Sequence, residues 1–391
     1  MLKLLRLLAW SVTSAALAVA LIGVAAWWLY RDARRPGPLA AAKTVVIPAH
    51  TGLRTIAVLL ARDGVVRHAW TFAALAELSG RGRLLKSGEY EFPAGASAAA
   101  ALAIVAAGHT VEHKLTIPEG LTSPEIVALV KAAPALAGDP GPLPPEGSLY
   151  PDTYIYSWGE TRRALIRRMQ RAMTHVVGEL WKERFPGLPL ASPEEAVTLA
   201  SIVEKETALP AERAHVAGVY INRLKRDMPL DADPTVLFAL EDDGAKKLDR
   251  PLDHADLATL SPYNTYRNKG LPPGPIDNPG RASLRAALQP QPTDDLYFVA
   301  DGKGGHVFAK TLAEQTQHIA AYLKTAAPAA AALDPLAQPT PAPAVHAAAT
   351  PPPHTAARHA NHHDRRRLAL RRRAHLRYCR HHPRACHTRL R

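Results

Sequence analysis

One glutamate of this chain falls where a charged side chain would be costly. The letters SPEE at 192–195 predict a helix start, with serine as the N-cap and proline at the first helical position. At about 100° per residue, Glu206 lies in the middle of the apolar stripe that contains Leu199 and Val203, whereas Glu204 lies on a different side. A carboxylate that faces a core costs free energy unless it is paired, and desolvation raises its pKa.

The position of Glu206 leaves two interpretations open. In the structural one, Glu206 closes the helix end or pairs with an arginine such as Arg213 or Arg223. In the functional one, it is a general acid that stays protonated near neutral pH, which the cleavage of glycosidic bonds requires. Glu204 fits a supporting or solvated carboxylate better. The sequence therefore offers Glu206 as the candidate acid and Glu204 as the fallback.

The chain beyond this helix supplies side chains that suit a sugar ligand. A second predicted helix ends near Asn222, and the predicted turn DADPT (231–235) follows. The segment 261–288 is rich in Pro, Gly and Asn, so we expect a preorganised loop. Tyr and Asn side chains offer apolar faces together with paired donors and acceptors. The segment 294–323 then predicts a strand, a Gly turn, a strand and a closing helix, with His306 in a structural or peripheral role.

These elements predict an α+β chain in four parts. Residues 1–35 form an N-terminal anchor, and 43–118 alternate strands with short helices. Residues 119–325 hold the candidate acid. Residues 326–391 begin as a Pro/Ala linker and end as an Arg/His-rich tail, which we expect to be disordered.

The anchor prediction rests on residues 7–30, an uncharged run that is long enough to cross a bilayer. Trp27, Trp28 and Tyr30 lie where an interfacial aromatic belt would be. A cleaved signal peptide is the alternative, but its apolar region would be shorter and would end in small residues. Basic residues flank both ends of the run, so the charges do not decide its orientation.

The net charge of +13 argues against a basic binding fold once it is divided along the chain. The segment 326–391 carries +10, residues 1–35 carry +4, and the remaining 36–325 carry −1. We therefore expect no specific nucleic-acid partner. A lone charged run is usually a solvated tail. A polyanion-binding arm and a metal site are the alternatives for this tail, the metal site from Cys379, His381, His382, Cys386 and His387.

Two resemblances add to this interpretation. The order of elements in 43–118, closing on SGEYEFPAGASAAAALAIVAAG, resembles a LysM-like module, a family that binds glycans containing N-acetylglucosamine. A structural spacer that holds the next domain off the membrane is the alternative.

The second resemblance is to the YceG-like (MltG) family of membrane-anchored endolytic murein transglycosylases, over roughly 40–325. The motifs that carry it are EGSLYPDTY (146–154), ASIVEKET (200–207), VYINRL (219–224), DADPTVLFAL (231–240), SPYNTYRNKGLPPGPIDNPGRASLRAAL (261–288) and LYFVADGKGGHVF (296–308).

This resemblance implies an activity and a location. Such enzymes lie in the inner membrane with the catalytic domain in the periplasm or cell-wall space. They cut peptidoglycan strands between N-acetylmuramic acid and N-acetylglucosamine without water and leave a 1,6-anhydromuramic end. One glutamate acts first as acid and then as base, with no metal or organic cofactor. Cell-wall synthases are the partners that such a role would bring.

The resemblance also assigns residues. The catalytic glutamate of the family lies in the EKET motif and is carried over to Glu206, with Glu204 as the fallback. Six residues are expected to hold the sugars in the cleft: Asn222, Asp233, Thr235, Tyr263, Asn264 and Tyr266.

Two other functions compete with this one. A non-catalytic wall-binding scaffold would use the LysM-like module to organise synthesis enzymes. A water-using muramidase would take its second carboxylate from Glu204 or Asp233.

Overall fold

The computed structural model describes residues 2–241, 247–248 and 250–332. Within these ranges the chain is a mixture of α-helices and three two-stranded antiparallel sheets. The mixed α+β class predicted from the sequence is confirmed.

The chain begins with one long apolar helix, α1 (Leu2–Arg34). Its segment Trp10–Arg34 has a mean hydropathy of 2.0, and the apolar window within it buries none of its residues in the rest of the protein. By length and composition this helix could cross a membrane. The predicted span, 7–30, lies inside it.

The first region after α1 has a core of its own. It consists of β1 (Lys43–Ile47), α2 (Leu53–Arg62), α3 (Ala69–Leu78), β2 (Gly88–Phe92) and α4 (Ala98–Ala107). Strand β1 pairs with β2 in antiparallel register, Lys43 opposite Phe92. Leu60, Phe72 and Tyr90 are completely buried in the core.

The next strand departs from the predicted division of the chain. Strand β3 (Glu112–Thr116) pairs with β4 (Thr153–Ser157), so that Glu112 lies opposite Ser157. We predicted that β3 would close a first domain at residue 118, but its strand partner lies in the second predicted domain. The alternation of side chains identified the strand, whereas its partner depends on the path of the chain through space.

Helices dominate the second region. They are α5 (Ser123–Ala132), α6 (Arg162–Lys182), α7 (Pro193–Glu206), α8 (Arg213–Lys225), α9 (Asp233–Leu240) and α10 (Arg281–Leu288). Strands β5 (Tyr297–Ala300) and β6 (His306–Ala309) form the predicted hairpin, and α11 (Leu312–Ala332) follows.

Helix α7 is the central element of this region. It packs against α6, α8, α9 and α10, and every residue from 196 to 203 is buried. Ser192 caps it as predicted, because its hydroxyl accepts a hydrogen bond from the Glu195 amide. The Glu195 carboxylate accepts from the amide of Ala191, one residue before the cap. Both contacts satisfy donors near the helix start, so the site at the other end of α7 rests on a fixed helix.

A buried polar junction joins three parts of the second region. The Asn278 side chain accepts from the amide of Leu149 (2.8 Å) and donates to the carbonyl of Leu121 (3.0 Å) and to Glu146 (3.2 Å). Glu146 in turn accepts the amide of Ser123 at 2.9 Å. We call Ser123, Glu146, Asp277 and Asn278 the junction cluster. It fixes the end of the Pro/Gly-rich loop beside α5.

The end of the described chain differs from the predicted boundary. Helix α11 continues to Ala332, past the predicted start of the linker at 326. The intrinsic helix propensity of the alanine-rich letters TAAPAAAA outweighs the single proline in them. The rest of the predicted linker and tail, from 333, lies outside the described residues.

Candidate active site

Glu206 is the last residue of α7, and its carboxyl group meets a tyrosine of the next helix. The helix ends there because Thr207 adopts extended backbone angles. Tyr220 of α8 is 1% exposed, and its hydroxyl donates a 2.6 Å hydrogen bond to Glu206 Oε1. A buried tyrosine hydroxyl needs a polar partner. The helical spacing thus brings Glu206 to an apolar face, as predicted, and Tyr220 provides the polar contact there.

A cavity of about 260 Å³ opens beside this pair. Its walls come from the ends of α7 and α8, the start of α9, the Pro/Gly-rich loop and the β5–β6 hairpin. The lining residues are Glu206, Tyr220, Arg223, Leu230, Asp231, Asp233, Tyr266, Phe298, Val299, Ala300 and His306.

The electrostatics of the cavity favour a neutral Glu206. Burial is the main cause that raises its pKa, the Tyr220 bond and the charge of Arg223 oppose the rise, the negative charge of Asp233 adds to it, and the resulting pKa is about 7. Burial and the neighbouring Glu206 also raise the pKa of Tyr220 well above its usual value. Near neutral pH, both the acid and the carboxylate form of Glu206 are therefore populated, as acid–base catalysis requires.

Arg223 builds one wall by crosslinking the backbone. It donates to the carbonyls of Leu296 (2.6 Å) and Leu230 (3.0 Å) and to the carboxylate of Asp231 (2.9 Å). Asp231 has a φ of 49°, in the left-handed region that aspartate tolerates better than most residues. This arginine therefore pairs with Asp231 rather than with Glu206.

Asp233 and Tyr266 form a second polar pair at the cavity. The Tyr266 hydroxyl donates a 2.6 Å hydrogen bond to Asp233 Oδ1. Burial, followed by the bond and charge of Asp233, raises the pKa of Tyr266. The sequence predicted DADPT as a turn, but α9 begins at Asp233. An acidic residue and a proline suit the first turn of a helix.

The hairpin closes the remaining side. His306 donates through its backbone amide to Glu212 (2.9 Å), and its Nδ1 lies 2.7 Å from the other oxygen of that carboxylate. Phe298 contacts the Tyr220 ring edge-on at 5.8 Å between centroids. His306 was expected to be structural or peripheral; it anchors the hairpin and also lines the cavity.

Glu204, the fallback acid, lies in a different environment. Its carboxylate is 3.0 Å from the guanidinium of Arg213 and accepts the amide of Gly280, also at 3.0 Å. It does not line the cavity of Glu206. These contacts give Glu204 a connecting role between α7, α8 and the start of α10.

The model of the YceG-like family matches residues 45–321, well over half of the sequence. The chain belongs to the YceG-like family. It spans about half the length of the curated relatives it matches.

Two of these relatives carry the same description. An endolytic murein transglycosylase of Bacillus subtilis is 41% identical over 182 residues, which cover 46% of this chain and 49% of the relative. An endolytic murein transglycosylase of Streptococcus pneumoniae is 30% identical over 313 residues, which cover 68% of this chain and 55% of the relative. The crystal structure of a YceG-like protein from Listeria monocytogenes is 32% identical, with a TM-score of 0.44, and covers 71% of this chain and 98% of that one.

Three of the expected site residues line the cavity beside Tyr220: Glu206, Asp233 and Tyr266. Two others are buried in the scaffold beside it. The Thr235 hydroxyl donates to the carbonyl of Ala232 at 2.7 Å. The Asn264 amide donates to the carbonyls of Leu257 and Thr259. Thr235 and Asn264 are completely buried, so they shape the loop that carries Tyr266 rather than face the cavity.

The last two expected residues lie elsewhere. The Asn222 amide donates to the backbone carbonyls of Thr293 (2.8 Å) and Asp295 (3.0 Å), and Asn222 lines another cavity behind α8. Tyr263 packs its ring against Phe238 at 4.9 Å. Neither residue lines the cavity of Glu206.

The other lining residues were not expected from the sequence as site residues, and they include Tyr220, Arg223, Asp231 and Phe298. Tyr220 gave a signal, because a tyrosine on an apolar helix face must find a partner for its hydroxyl. Asp231 and Phe298 gave none, since their approach to Glu206 depends on long-range packing. Among the residues that the structure describes, no cluster of three or more His, Cys, Asp or Glu side chains could hold a metal ion.

Proposed function

We propose that this chain is a membrane-anchored endolytic lytic transglycosylase of peptidoglycan, with Glu206 as its catalytic acid and base. One observation carries the proposal: a glutamic acid with a pKa of about 7 faces a cavity and is held by a tyrosine. The names of the relatives, endolytic murein transglycosylase, support the type of reaction.

The reaction follows from the two states of Glu206. Tyr220 donates to Oε1, so the proton of the neutral acid sits on Oε2. That proton passes to the glycosidic oxygen as its bond to the anomeric carbon of N-acetylmuramic acid breaks. The resulting carboxylate then takes the proton of the C6 hydroxyl, whose oxygen bonds to the anomeric carbon. The products are a free hydroxyl on the leaving strand and a 1,6-anhydro ring, and Glu206 is neutral again.

The cavity walls support binding of a sugar. Asp233 and Tyr266 offer a carboxylate and a hydroxyl already paired with each other, and Phe298 offers an apolar face. Thr235 and Asn264 contribute by holding the Tyr266 loop in place. For Asn222 and Tyr263, we propose contacts with parts of the glycan strand outside the cavity.

The remaining parts of the chain receive the following roles. Helix α1 anchors the protein in the inner (plasma) membrane, and the catalytic region lies on the extracytoplasmic side. The first region after α1, which we call the module 43–107, runs from β1 to α4. It binds the glycan strand or holds the catalytic region above the bilayer. Cell-wall synthases are the protein partners that such a location favours.

Product analysis tests this function. Purified full-length protein is incubated with uncrosslinked glycan strands, and the products are identified by mass spectrometry. Internal cuts with 1,6-anhydromuramic ends are expected. Reducing ends would instead indicate a hydrolytic muramidase, for which Asp233 supplies a second carboxylate at the cavity. Intact strands together with glycan binding would indicate a non-catalytic scaffold.

A further inference from the structure

The end of α1 is fixed to the first soluble module by a set of specific contacts. The side chain of Asp32 is 4% exposed, accepts a hydrogen bond from Thr71 (2.7 Å) and lies 3.2 Å from His68 Nδ1. Trp28 of α1 stacks on Trp70 of α3, with centroids 4.9 Å apart and planes at 17°. Burial of a carboxylate requires such partners, so the contact between α1 and α3 is a built interface.

The chain that leaves α1 is also held against the module. Arg67 donates to the carbonyl of Pro36 at 3.0 Å, and the amide of Gly37 donates to the carbonyl of Gly95 at 3.1 Å. A Cβ on Gly37 would collide with the carbonyl oxygens of Val65 and Ala96. The connection from α1 to β1 therefore packs closely and does not act as a loose tether.

The stacked tryptophans stay open to their surroundings. Trp28 is 38% exposed and Trp70 is 52% exposed. Tryptophans gather at the boundary between the hydrocarbon and the headgroups because they combine an apolar ring with an N–H donor. Since Trp28 lies at the end of the apolar run of α1, a membrane that contains α1 also reaches the depth of Trp70.

Basic side chains surround this boundary. The Arg31 guanidinium lies over the Trp27 ring at 5.2 Å, and that of Arg34 lies over the Tyr30 ring at 4.3 Å. A groove of about 500 Å³ lies at this exit and is also lined by Arg35. Arginines beside aromatic rings fit the anionic phosphates of lipid headgroups.

We propose that Trp28 and Trp70 form one interfacial patch, and that the module 43–107 lies on the bilayer surface in a fixed orientation with Trp70 among the lipid headgroups. The partner surface is that of an anionic phospholipid bilayer. The inference rests on the proposed role of α1 as a membrane anchor. It adds a fixed geometry, in which the height of the rest of the chain above the membrane is set at the α1–α3 contact.

Tryptophan fluorescence of the full-length protein tests this geometry. The protein is reconstituted in vesicles of phosphatidylcholine and phosphatidylglycerol with bromine on acyl carbons next to the headgroups. The difference between the wild type and Trp70→Phe isolates the signal of Trp70. Trp158→Phe is the matched control, since Trp158 is 44% exposed and lies beyond β4 in the other region. Brominated lipid is expected to quench the Trp70 signal, and aqueous acrylamide the Trp158 signal.

A second variant tests whether the contact is fixed. Asp32→Ala removes the acceptor for Thr71 and is expected to make the Trp70 signal accessible to acrylamide while the protein still floats with the vesicles. Unchanged protection in Asp32→Ala would contradict a contact held by Asp32. If wild-type protein floats but Trp70 responds as Trp158 does, the docking is overturned and the anchor stands. Protein that fails to float overturns the anchor and the docking together.

Discussion

The cavity of Glu206 and the junction cluster of Glu146 both hold a glutamate whose pKa burial raises to about 7. Their surroundings differ. Glu146 accepts hydrogen bonds from the amide of Ser123 and from Asn278 and so ties three chain segments together. Within the described part of the chain, Glu206 accepts a single hydrogen bond, from Tyr220. Its carboxyl group faces a cavity.

A raised pKa alone does not distinguish a catalytic carboxyl group from a structural one. A raised pKa indicates desolvation, and both structural and catalytic carboxyl groups can be desolvated. What separates the two glutamates is the use of their oxygens: those of Glu146 are taken up by donors from the scaffold, whereas Glu206 keeps an oxygen for a ligand. Glu146 also borders a cavity, together with Met173 and Val177, but the donors of Ser123 and Asn278 already occupy its oxygens.

The largest effect on activity is expected from a substitution of Glu206. Glu206→Gln keeps the size of the side chain and an acceptor for Tyr220 but removes the proton that the leaving oxygen needs. We expect the rate of anhydro-product formation to fall about 10²- to 10⁴-fold, the usual contribution of general acid–base catalysis. Mass spectrometry of digested glycan strands measures it.

Two other glutamate-to-glutamine substitutions serve as matched controls for Glu206→Gln. Glu146→Gln and Glu204→Gln also replace a buried carboxyl group near α7, but outside the cavity, so both variants should keep the anhydro product. Loss of that product in Glu204→Gln, with full activity in Glu206→Gln, would reverse the assignment between the two.

The next largest effect is expected on stability, from a substitution in the junction cluster. Asn278→Ala leaves the amide of Leu149 without its acceptor and removes the side-chain donor to Glu146, whereas the carbonyl of Leu121 keeps the bond from the backbone amide of residue 278. Each buried polar group that loses its partner costs about 1–3 kcal/mol, so we expect the free energy of unfolding to fall by about 2–4 kcal/mol. Urea denaturation of the full-length protein in detergent measures it. The anhydro product should still form in the fraction that stays folded.

Asn222→Ala is the control for Asn278→Ala. The Asn222 amide also donates to two backbone carbonyls, but it is less buried and lies at the edge of a cavity. A smaller loss of stability is expected. An equal loss in both variants would mean that the junction has no special role in stability.

Asp277 of the junction cluster is expected to make the stability of the protein depend on pH. Asp277 is completely buried, no group of the described residues forms a hydrogen bond with either of its carboxyl oxygens, and burial raises its pKa well above the usual value. Its neighbours are the cation of Lys205, which opposes the rise, and the carboxyl groups of Glu204, Glu146 and Glu125, which add to it.

A carboxyl group with a raised pKa in the folded state stabilises most at low pH, and this stability is lost as pH rises toward the folded-state value. The free energy of unfolding of the wild type should therefore decline as the pH rises from about 4, the ordinary pKa of an aspartate, through neutrality. Asp277→Asn should decline less, because the amide does not ionise. Thermal unfolding across this range measures the difference. Parallel curves for the two proteins would show that Asp277 does not contribute to the decline.

The sequence was sufficient for features that depend on local spacing. Helix α7, its Ser192 cap and the phase that turns Glu206 toward the apolar side follow from residues within a few turns of one another. The β5–β6 hairpin follows from strand alternation around a glycine turn. These features need no knowledge of the rest of the chain.

Features that depend on long-range packing could not be derived in the same way. The pairing of β3 with β4, and the contact of Glu206 with Tyr220, join residues whose separation is set by the whole fold. Asn264 looked like a sugar ligand because its side chain can donate and accept, but the same groups hold the backbone of its own loop. Residue type predicts the chemistry a side chain can do, and burial decides whether a ligand can reach it.

The smallest effect is expected from removing the hydrogen bond that Tyr220 donates to Glu206. Tyr220→Phe removes the hydrogen bond that favours the carboxylate form, so the pKa of Glu206 should rise further. A hydrogen bond to a charged group is worth about 1.5–3 kcal/mol, or roughly one to two pH units. Because the neutral acid starts the reaction, activity falls as pH rises through this pKa, and the alkaline limb of the pH–rate profile should move upward by that amount. Tyr266→Phe is the control, since its hydroxyl bonds to Asp233 and not to Glu206. An equal shift in both variants would show that the general polarity of the cavity, rather than the Tyr220 bond, sets the protonation of Glu206.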